Sequence, residues 1–342
     1  MTKIVIIGAG AMGSAFTVPC IDNNNEVILV GTHLEDDLIK KIKSNNNLHP
    51  TLKIKLPLKL KIESFEKLKS ILESKVDLIV AGVSSMGIDW FVDQIANDYR
   101  KDLPIILLTK GLAIVENELV TLSDKIKKLL LEKGHKEVNI SAIKGPCLAA
   151  GLANKMRTGT VIANPNIKEA QMLKKIIATN YYSTEISNDL IGVELSSAIK
   201  NIYSMLIGAS EGLSNSNAPK EIKSKYYLNT SASLIHRSIS EMVEFVSNYG
   251  GRAETVYGLA GLGDLYVSAI GGRNSLMGKY LGDGHLFKDA KEKFMKDITV
   301  EGAQLALEIG PKIMQDLNPK HFPLMISMLN TICENKKLII NW

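Results

Sequence analysis

Residues Lys3-Ile4-Val5-Ile6-Ile7-Gly8-Ala9-Gly10-Ala11-Met12-Gly13 decide the fold of this chain. The Ile- and Val-rich run 3–7 reads as a buried strand, and the glycines after it have the spacing G-x-G-x-x-G. Alone, that spacing is a weak signal. Here it ends a strand, opens a helix from about Ala11 and heads a series of alternating strands and helices, the context a dinucleotide site requires. Gly8 permits the tight turn, Gly10 lets backbone approach a diphosphate, and Gly13 lets the helix pack closely on the strand. The helix start at Ala11 and Met12 then offers unpaired N–H groups and a partial positive charge to that diphosphate.

Working outward, residues 27–30, 77–80, 105–108, 138–143, 160–163 and 182–186 read as further strands separated by helical stretches. Such alternation implies parallel pairing with right-handed crossovers, a Rossmann-type doubly wound sheet. The interval 44–63, rich in Asn and Lys with Pro50 and Pro57, reads as an irregular excursion. From about Asp189 the strand-like runs stop, and helical stretches at 190–213, 221–249 and beyond follow. The expected class is α/β, with an NAD(P)-binding Rossmann domain over 1–188 and an all-α, substrate-binding domain over 189–342.

A length of 342 residues suits two domains, and 45% hydrophobic with 23% charged residues is an ordinary globular balance. The net charge of +5 is mild and the lysines are interleaved with acids, so no nucleic acid is expected as a partner. Even the densest basic stretch, Lys53, Lys55, Lys59 and Lys61, alternates with apolar residues. Cys20, Cys147 and Cys333 are far apart, with no Cys-x-x-Cys, so neither disulfides nor a metal site is expected. A reducing, cytoplasmic setting fits, with no room for a signal peptide before residue 3 and no apolar run near the ~20 residues of a membrane span. Cys147 follows Pro146 near a helix start, yet no histidine neighbours it in sequence, and it reads as a packing residue.

The ribose discriminator is expected about 20 residues past the glycine motif. The second strand ends Leu29-Val30-Gly31-Thr32-His33 with no carboxylate at its tip, and Glu35 and Asp36 fall in the next helix. An acid at the tip would repel a 2′-phosphate; without one, Thr32 or His33 could touch it, and NAD and NADP both stay open as cofactors.

Three segments could carry hydride-transfer chemistry. Thr109-Lys110-Gly111 ends a strand at its carboxyl edge, where ligands bind in open α/β sheets. In 192–201, Leu195, Ile199, Ile202 and Leu206 form an apolar helical stripe with Lys200 beside it. That lysine reads either as part of a solvated face or as a proton donor to a developing alkoxide. In 258–274, dense glycines admit close backbone approach, Asp264 could orient a lysine, and Arg273 offers a planar fork for phosphate.

In this order, and behind this N-terminal motif, the segments resemble the NAD(P)-dependent glycerol-3-phosphate dehydrogenases over nearly the whole chain. The match is carried by Thr109-Lys110-Gly111, Gly145-Pro146, Gly192-Val193-Glu194-Leu195 with Lys200-Asn201, Gly261-Leu262-Gly263-Asp264-Leu265, and Arg273-Asn274. The resemblance implies reversible hydride transfer between a nicotinamide and dihydroxyacetone phosphate/glycerol 3-phosphate, supplying glycerol 3-phosphate for phospholipid synthesis. It implies Lys200 as the catalytic lysine, Lys110 as a second active-site lysine that fixes the substrate, and Asp264 as the carboxylate tuning the lysine. Ser268, Arg273, Asn274 and Asn201 are implied as substrate-binding. Arg273 and Glu301 are implied at the cofactor, with Gly8, Gly10, Ala11, Met12, Gly13, Thr32 and His33.

Three positions depart from the family pattern. Ser84 stands where proline is usual, Cys147-Leu148 replaces Ser-Phe after Gly145-Pro146, and Met12 replaces a common aromatic. Positions 84 and 147–148 keep in view a related dehydrogenase for another phosphorylated or carboxylated alcohol; a non-catalytic dinucleotide-binding sensor is a third reading, against which Lys110, Lys200 and Asp264 argue. A homodimer is expected from the apolar surface of the helical half.

Overall fold

The computed structural model describes residues 1–214 and 217–340. The chain divides into two compact units: residues 1–110 with 121–190, and residues 111–120 with 191–342.

The first unit is built on an eight-stranded sheet. Its spatial order is Tyr182–Ser187, Thr158–Ala163, Ile140–Lys144, Ile105–Leu107, Leu78–Ala81, Lys3–Ile7, Glu26–Val30 and Lys61–Glu63. The Lys3–Ile7 strand pairs in parallel with Glu26–Val30 on one side and Leu78–Ala81 on the other. The strand order reverses at this point, so the turn at Gly8 opens at a topological switch. Ile4, Val5, Ile6 and Ile7 are all 0% exposed, which explains a continuous apolar run rather than an alternating one.

The sheet departs from the sequence expectation in two places. Thr158–Ala163 runs antiparallel to Ile140–Lys144, with Tyr182–Ser187 parallel to it. Between 144 and 158 the chain has room for only a five-residue helix, Ala149–Ala153, too short to carry it back for parallel pairing. The excursion at 44–63 is also more ordered than expected. It holds a small hairpin, Leu48–His49 with Ile54–Lys55, and it ends in the edge strand Lys61–Glu63.

The second unit is helical from residue 191 onward, with one hairpin, Leu112–Val115 and Glu118–Thr121, contributing Leu112 and Leu119 to its core. Glu116 and Asn117, both at positive φ, form the two-residue turn of that hairpin. The expected helix over 221–249 is two helices, Lys220–Tyr226 and Leu228–Asn248, broken at Tyr227. At the centre lies Leu190–Gly208. Ile199, Ile202, Met205 and Leu206 on it are 0% exposed, but so are Ser196, Ser197 and Ser204. This is a helix buried all round, and the solvated-face reading of Lys200 does not survive. Among the described helices it is the one long and apolar enough to cross a membrane, yet 94% of that window is buried inside the protein.

Glycines bring a second helix, Arg273–Gly282, against the central one. A Cβ on Gly278 would lie 1.9 Å from the Met205 carbonyl oxygen, and one on Gly208 would lie 2.3 Å from that of Ser275. The start of the Arg273 helix is thereby set beside Lys200 and Asn201 of the central helix.

Candidate active site

In the first unit the glycine turn is held by side chains from beyond the motif. A Cβ on Gly8 would meet the Gly82 carbonyl at 2.7 Å, and one on Gly13 would meet the Gly8 oxygen at 2.1 Å, so both positions admit only glycine. Gly10 is different. The nearest atom to a Cβ there is Glu35 Oε1 at 3.8 Å, so the space over Gly10 is open. The helix Ala11–Asp22 begins next to it with no side chain capping its N-terminus. An open face over uncapped N–H groups fits a dinucleotide diphosphate.

Glu35 corrects the sequence reading of the ribose position. It lies just before the helix Asp36–Ser44, and its Oε2 accepts from the Ala9 N–H at 2.9 Å and the Thr32 N–H at 2.8 Å. A carboxylate therefore does sit across the tip of the second strand and the glycine turn. Sequence placed it too far along, because the chain after Thr32 turns back on itself, with the Glu35 N–H bonded to the Thr32 carbonyl. Beside it, His33 is exposed, its ring 5.1 Å from Trp90 and 6.2 Å from Phe65.

His49, in the excursion, was also missed. It is 1% exposed, and its Nδ1 accepts from the N–H groups of Thr51 and Leu52, each at 3.2 Å. With Nδ1 an acceptor, Nε2 is left to donate to the Ala9 carbonyl at 3.1 Å. The glycine turn is thus pinned at Ala9 by Glu35 on its N–H and by His49 on its carbonyl.

At the carboxyl edge of the same sheet, Lys110 follows the Ile105–Leu107 strand, and its Nζ donates to the Gly145 carbonyl at 3.4 Å. Thr109 Oγ1 donates to the Val83 carbonyl at 2.6 Å. A second lysine nearby, Lys144, is 2% exposed and has no counterpart in the sequence reading.

The second unit gathers most of the remaining candidates. Lys200 and Asp264 are each 3% exposed, and Lys200 Nζ donates to Asp264 Oδ1 at 2.8 Å and to Ser268 Oγ. Two buried opposite charges this close are costly to desolvate, and removing one partner of such a pair typically costs about 3–5 kcal/mol. Asp264 is aimed by a π-helical turn, Leu259–Gly263, in which the Gly263 N–H reaches back five residues to the Gly258 carbonyl at 3.2 Å. Asp264 then opens the helix Asp264–Gly271, and Ser268, one turn on, falls on the same face.

Next to this pair, Asn274 Nδ2 donates to Asn201 Oδ1 at 2.9 Å, while Asn274 Oδ1 accepts from the Gly302 N–H at 2.9 Å. Arg273, half-exposed, pairs with Glu301 at 2.8 Å. The structure therefore brings together Lys200 with Asp264 and Ser268, Asn201 with Asn274, and Arg273 with Glu301. Glycines 8, 10 and 13, Ala11, Met12, Thr32, His33 and Lys110 belong to the first unit.

Residues 3–170 match the family described as NAD-dependent glycerol-3-phosphate dehydrogenase N-terminus, and residues 189–340 match the C-terminus of the same family. A protein of Archaeoglobus fulgidus named NADP(+)-dependent glycerol-3-phosphate dehydrogenase is 35% identical over 320 residues, covering 92% of this chain and 91% of that one. A glycerol-3-phosphate dehydrogenase [NAD(P)+] of Mesoplasma florum is 30% identical, covering 98% and 99%. Among solved structures, a glycerol-3-phosphate dehydrogenase from Coxiella burnetii is similar with a TM-score of 0.80 at 26% identity, covering 98% of this chain and 96% of that one.

Proposed function

The chain belongs to the NAD-dependent glycerol-3-phosphate dehydrogenase family, and on that premise we propose how its residues divide the work of interconverting dihydroxyacetone phosphate and sn-glycerol 3-phosphate. It is an NAD(P)-dependent oxidoreductase. We assign cofactor binding to residues 1–188 and substrate binding to residues 189–342.

The observation that carries the assignment is the buried Lys200–Asp264–Ser268 cluster. When bound, the nicotinamide supplies the hydride to the substrate carbonyl carbon and receives it in the reverse direction. Lys200 gives a proton to the oxygen as it becomes an alkoxide and takes it back in reverse. Asp264 and Ser268 hold the ammonium in one direction, and burial strengthens its field on that oxygen. Arg273, at the start of its helix, and Asn274 bind the substrate phosphate, with Glu301 fixing the guanidinium and Asn201 lining the pocket. Lys110 fixes the substrate from the sheet edge. Flow towards glycerol 3-phosphate, for phospholipid synthesis, is the working direction.

A homodimer is the proposed assembly. Leu262, Tyr266 and Ile270, spaced by four residues, are exposed and apolar, a stripe suited to burial against a second copy. Analytical ultracentrifugation of the wild type and of Tyr266→Glu checks this, a monomer at micromolar wild-type concentration being the contrary result.

The test of the function is oxidation of NADH and of NADPH, side by side, with dihydroxyacetone phosphate. Turnover with at least one cofactor is expected. Reduction of another phosphorylated or carboxylated keto compound in its place would move the chain to a related dehydrogenase. Cofactor binding with no turnover of any keto compound would make it a sensor.

A further inference from the structure

We infer that Lys144 is a positioning residue for this reaction, a buried ammonium that sets the strand end carrying Lys110. A lysine that is 2% exposed is uncommon, because its charge must be satisfied inside the protein. Lys144 Nζ donates to two main-chain carbonyls, that of Leu107 at the end of the neighbouring strand at 3.1 Å and that of Thr109 just past it at 2.5 Å.

The place of those carbonyls is informative. The ladder between Ile140–Lys144 and Ile105–Leu107 ends at the pair Ala142 and Leu107. Past that pair, lysine side chains bond across to the facing main chain. Lys144 reaches the carbonyl of Thr109, and Lys110 reaches back to the carbonyl of Gly145. Each strand end carries a Lys-Gly pair, and each lysine holds the other strand's backbone.

The Thr109 carbonyl belongs to the peptide unit that leads into Lys110. Fixing the plane of that peptide fixes the N–Cα bond of Lys110 and so limits where its ammonium can go. An apolar side chain would fill the space with less desolvation. It could not hold two carbonyls two residues apart. The inference rests on Lys110 acting on the substrate, and it adds a residue that works through Lys110 without touching substrate itself.

The experiment is a double-mutant cycle on the full chain with Lys144→Met, Lys110→Met and the pair. For Lys144→Met we expect NADH affinity, read by quenching of tryptophan fluorescence, to stay within about twofold. The kcat/KM for the keto substrate should fall about 10²-fold, the scale of an approximately 1 Å misplacement, with most of the change in KM. In the Lys110→Met background, Lys144→Met should cost nothing further. Equal losses in both backgrounds, or wild-type kcat/KM in Lys144→Met, would overturn the inference. If the methionine variant does not fold, Lys144→Arg keeps donors for both carbonyls and should restore folding together with at least a tenth of the wild-type kcat/KM (about 1.4 kcal/mol,). Folding without that recovery counts against it. The cycle reads coupling on whichever keto compound the wild type reduces, so a wrong substrate assignment and a wrong role for Lys144 give different results.

Discussion

The glycine turn of the first unit and the lysine cluster of the second solve different problems by different means. In the proposed scheme the turn takes an anion on its backbone, so the residues that matter are those that remove side chains: Gly8 and Gly13 leave no room for a Cβ, and Gly10 leaves the space above it open. Its parts lie within six residues of sequence. In the same proposed scheme the cluster handles a proton, so it needs an ionisable side chain in a fixed surrounding. Lys200 and Asp264 are 64 residues apart in sequence and meet only once the chain has folded. The glycines of the turn are neighbours in sequence, although Glu35 and His49 hold it from outside, whereas the cluster is assembled wholly from distant pieces and stands on a buried charge pair.

That contrast can be broken most forcefully at Lys200. Lys200→Met should lower kcat by about 10³-fold or more while leaving NADH affinity close to wild type; equal loss of cofactor binding would mean that the two regions are not separable in this way.

The converse variant is Gly10→Val. With no atom nearer than 3.8 Å to its Cβ, the side chain should leave the melting temperature almost unchanged. It should weaken NADH by about tenfold, or about 1.4 kcal/mol. A large loss of stability with unchanged cofactor affinity would make Gly10 a packing residue only.

Glu35→Gln sharpens the reading of the turn. Removing a negative charge beside Thr32 and Ala9 should raise NADPH affinity relative to NADH by about fivefold, the effect of about 1 kcal/mol between charges near 4 Å in water. Titration of both cofactors against the variant measures the ratio, and an unchanged ratio would place the carboxylate away from the 2′-phosphate.

The smallest effect is expected at Glu241, a buried charge with a structural task. Its carboxyl accepts from the Leu324 and Met325 N–H groups and from the Tyr203 hydroxyl. Burial nevertheless raises its pKa above the usual 4.5. The folded protein therefore holds this proton more tightly than the unfolded chain does. That contribution is complete below pH 4.5 and is lost as pH rises through the folded value. Glu241→Gln cannot titrate, so urea unfolding should show the variant gaining on the wild type as pH increases above 4.5. A gap that widens in the wild type's favour over that range would reverse the sign.

Most of the sheet was legible because buried strands are short apolar runs whose ends are marked by polar or glycine residues. The strand at 158–163 was legible as a strand but not in its direction, since direction depends on how far the connection before it can travel. The edge strand at 61–63 was hidden among lysines that suit an exposed edge. In the site, Lys200, Asp264 and Arg273 came from motif and resemblance. Glu35, His49 and Lys144 did not, since each acts on backbone atoms that no residue pattern names. The burial of Lys200 was equally out of reach, because its helix mixes serines with the apolar stripe and all of them turned out to be inside.

The amino-acid sequence determined by itself that a strand, a glycine turn and a helix begin this protein, that a helical half follows, and that lysine, aspartate and arginine stand at family positions. These are properties of neighbours along the chain, set by sterics and periodicity over a few residues. Only the tertiary structure decided which charges are buried, which carboxylate crosses the turn, and which lysine holds a strand end. Those depend on residues far apart in sequence, and the desolvation that gives them their force exists only once the chain has closed around them.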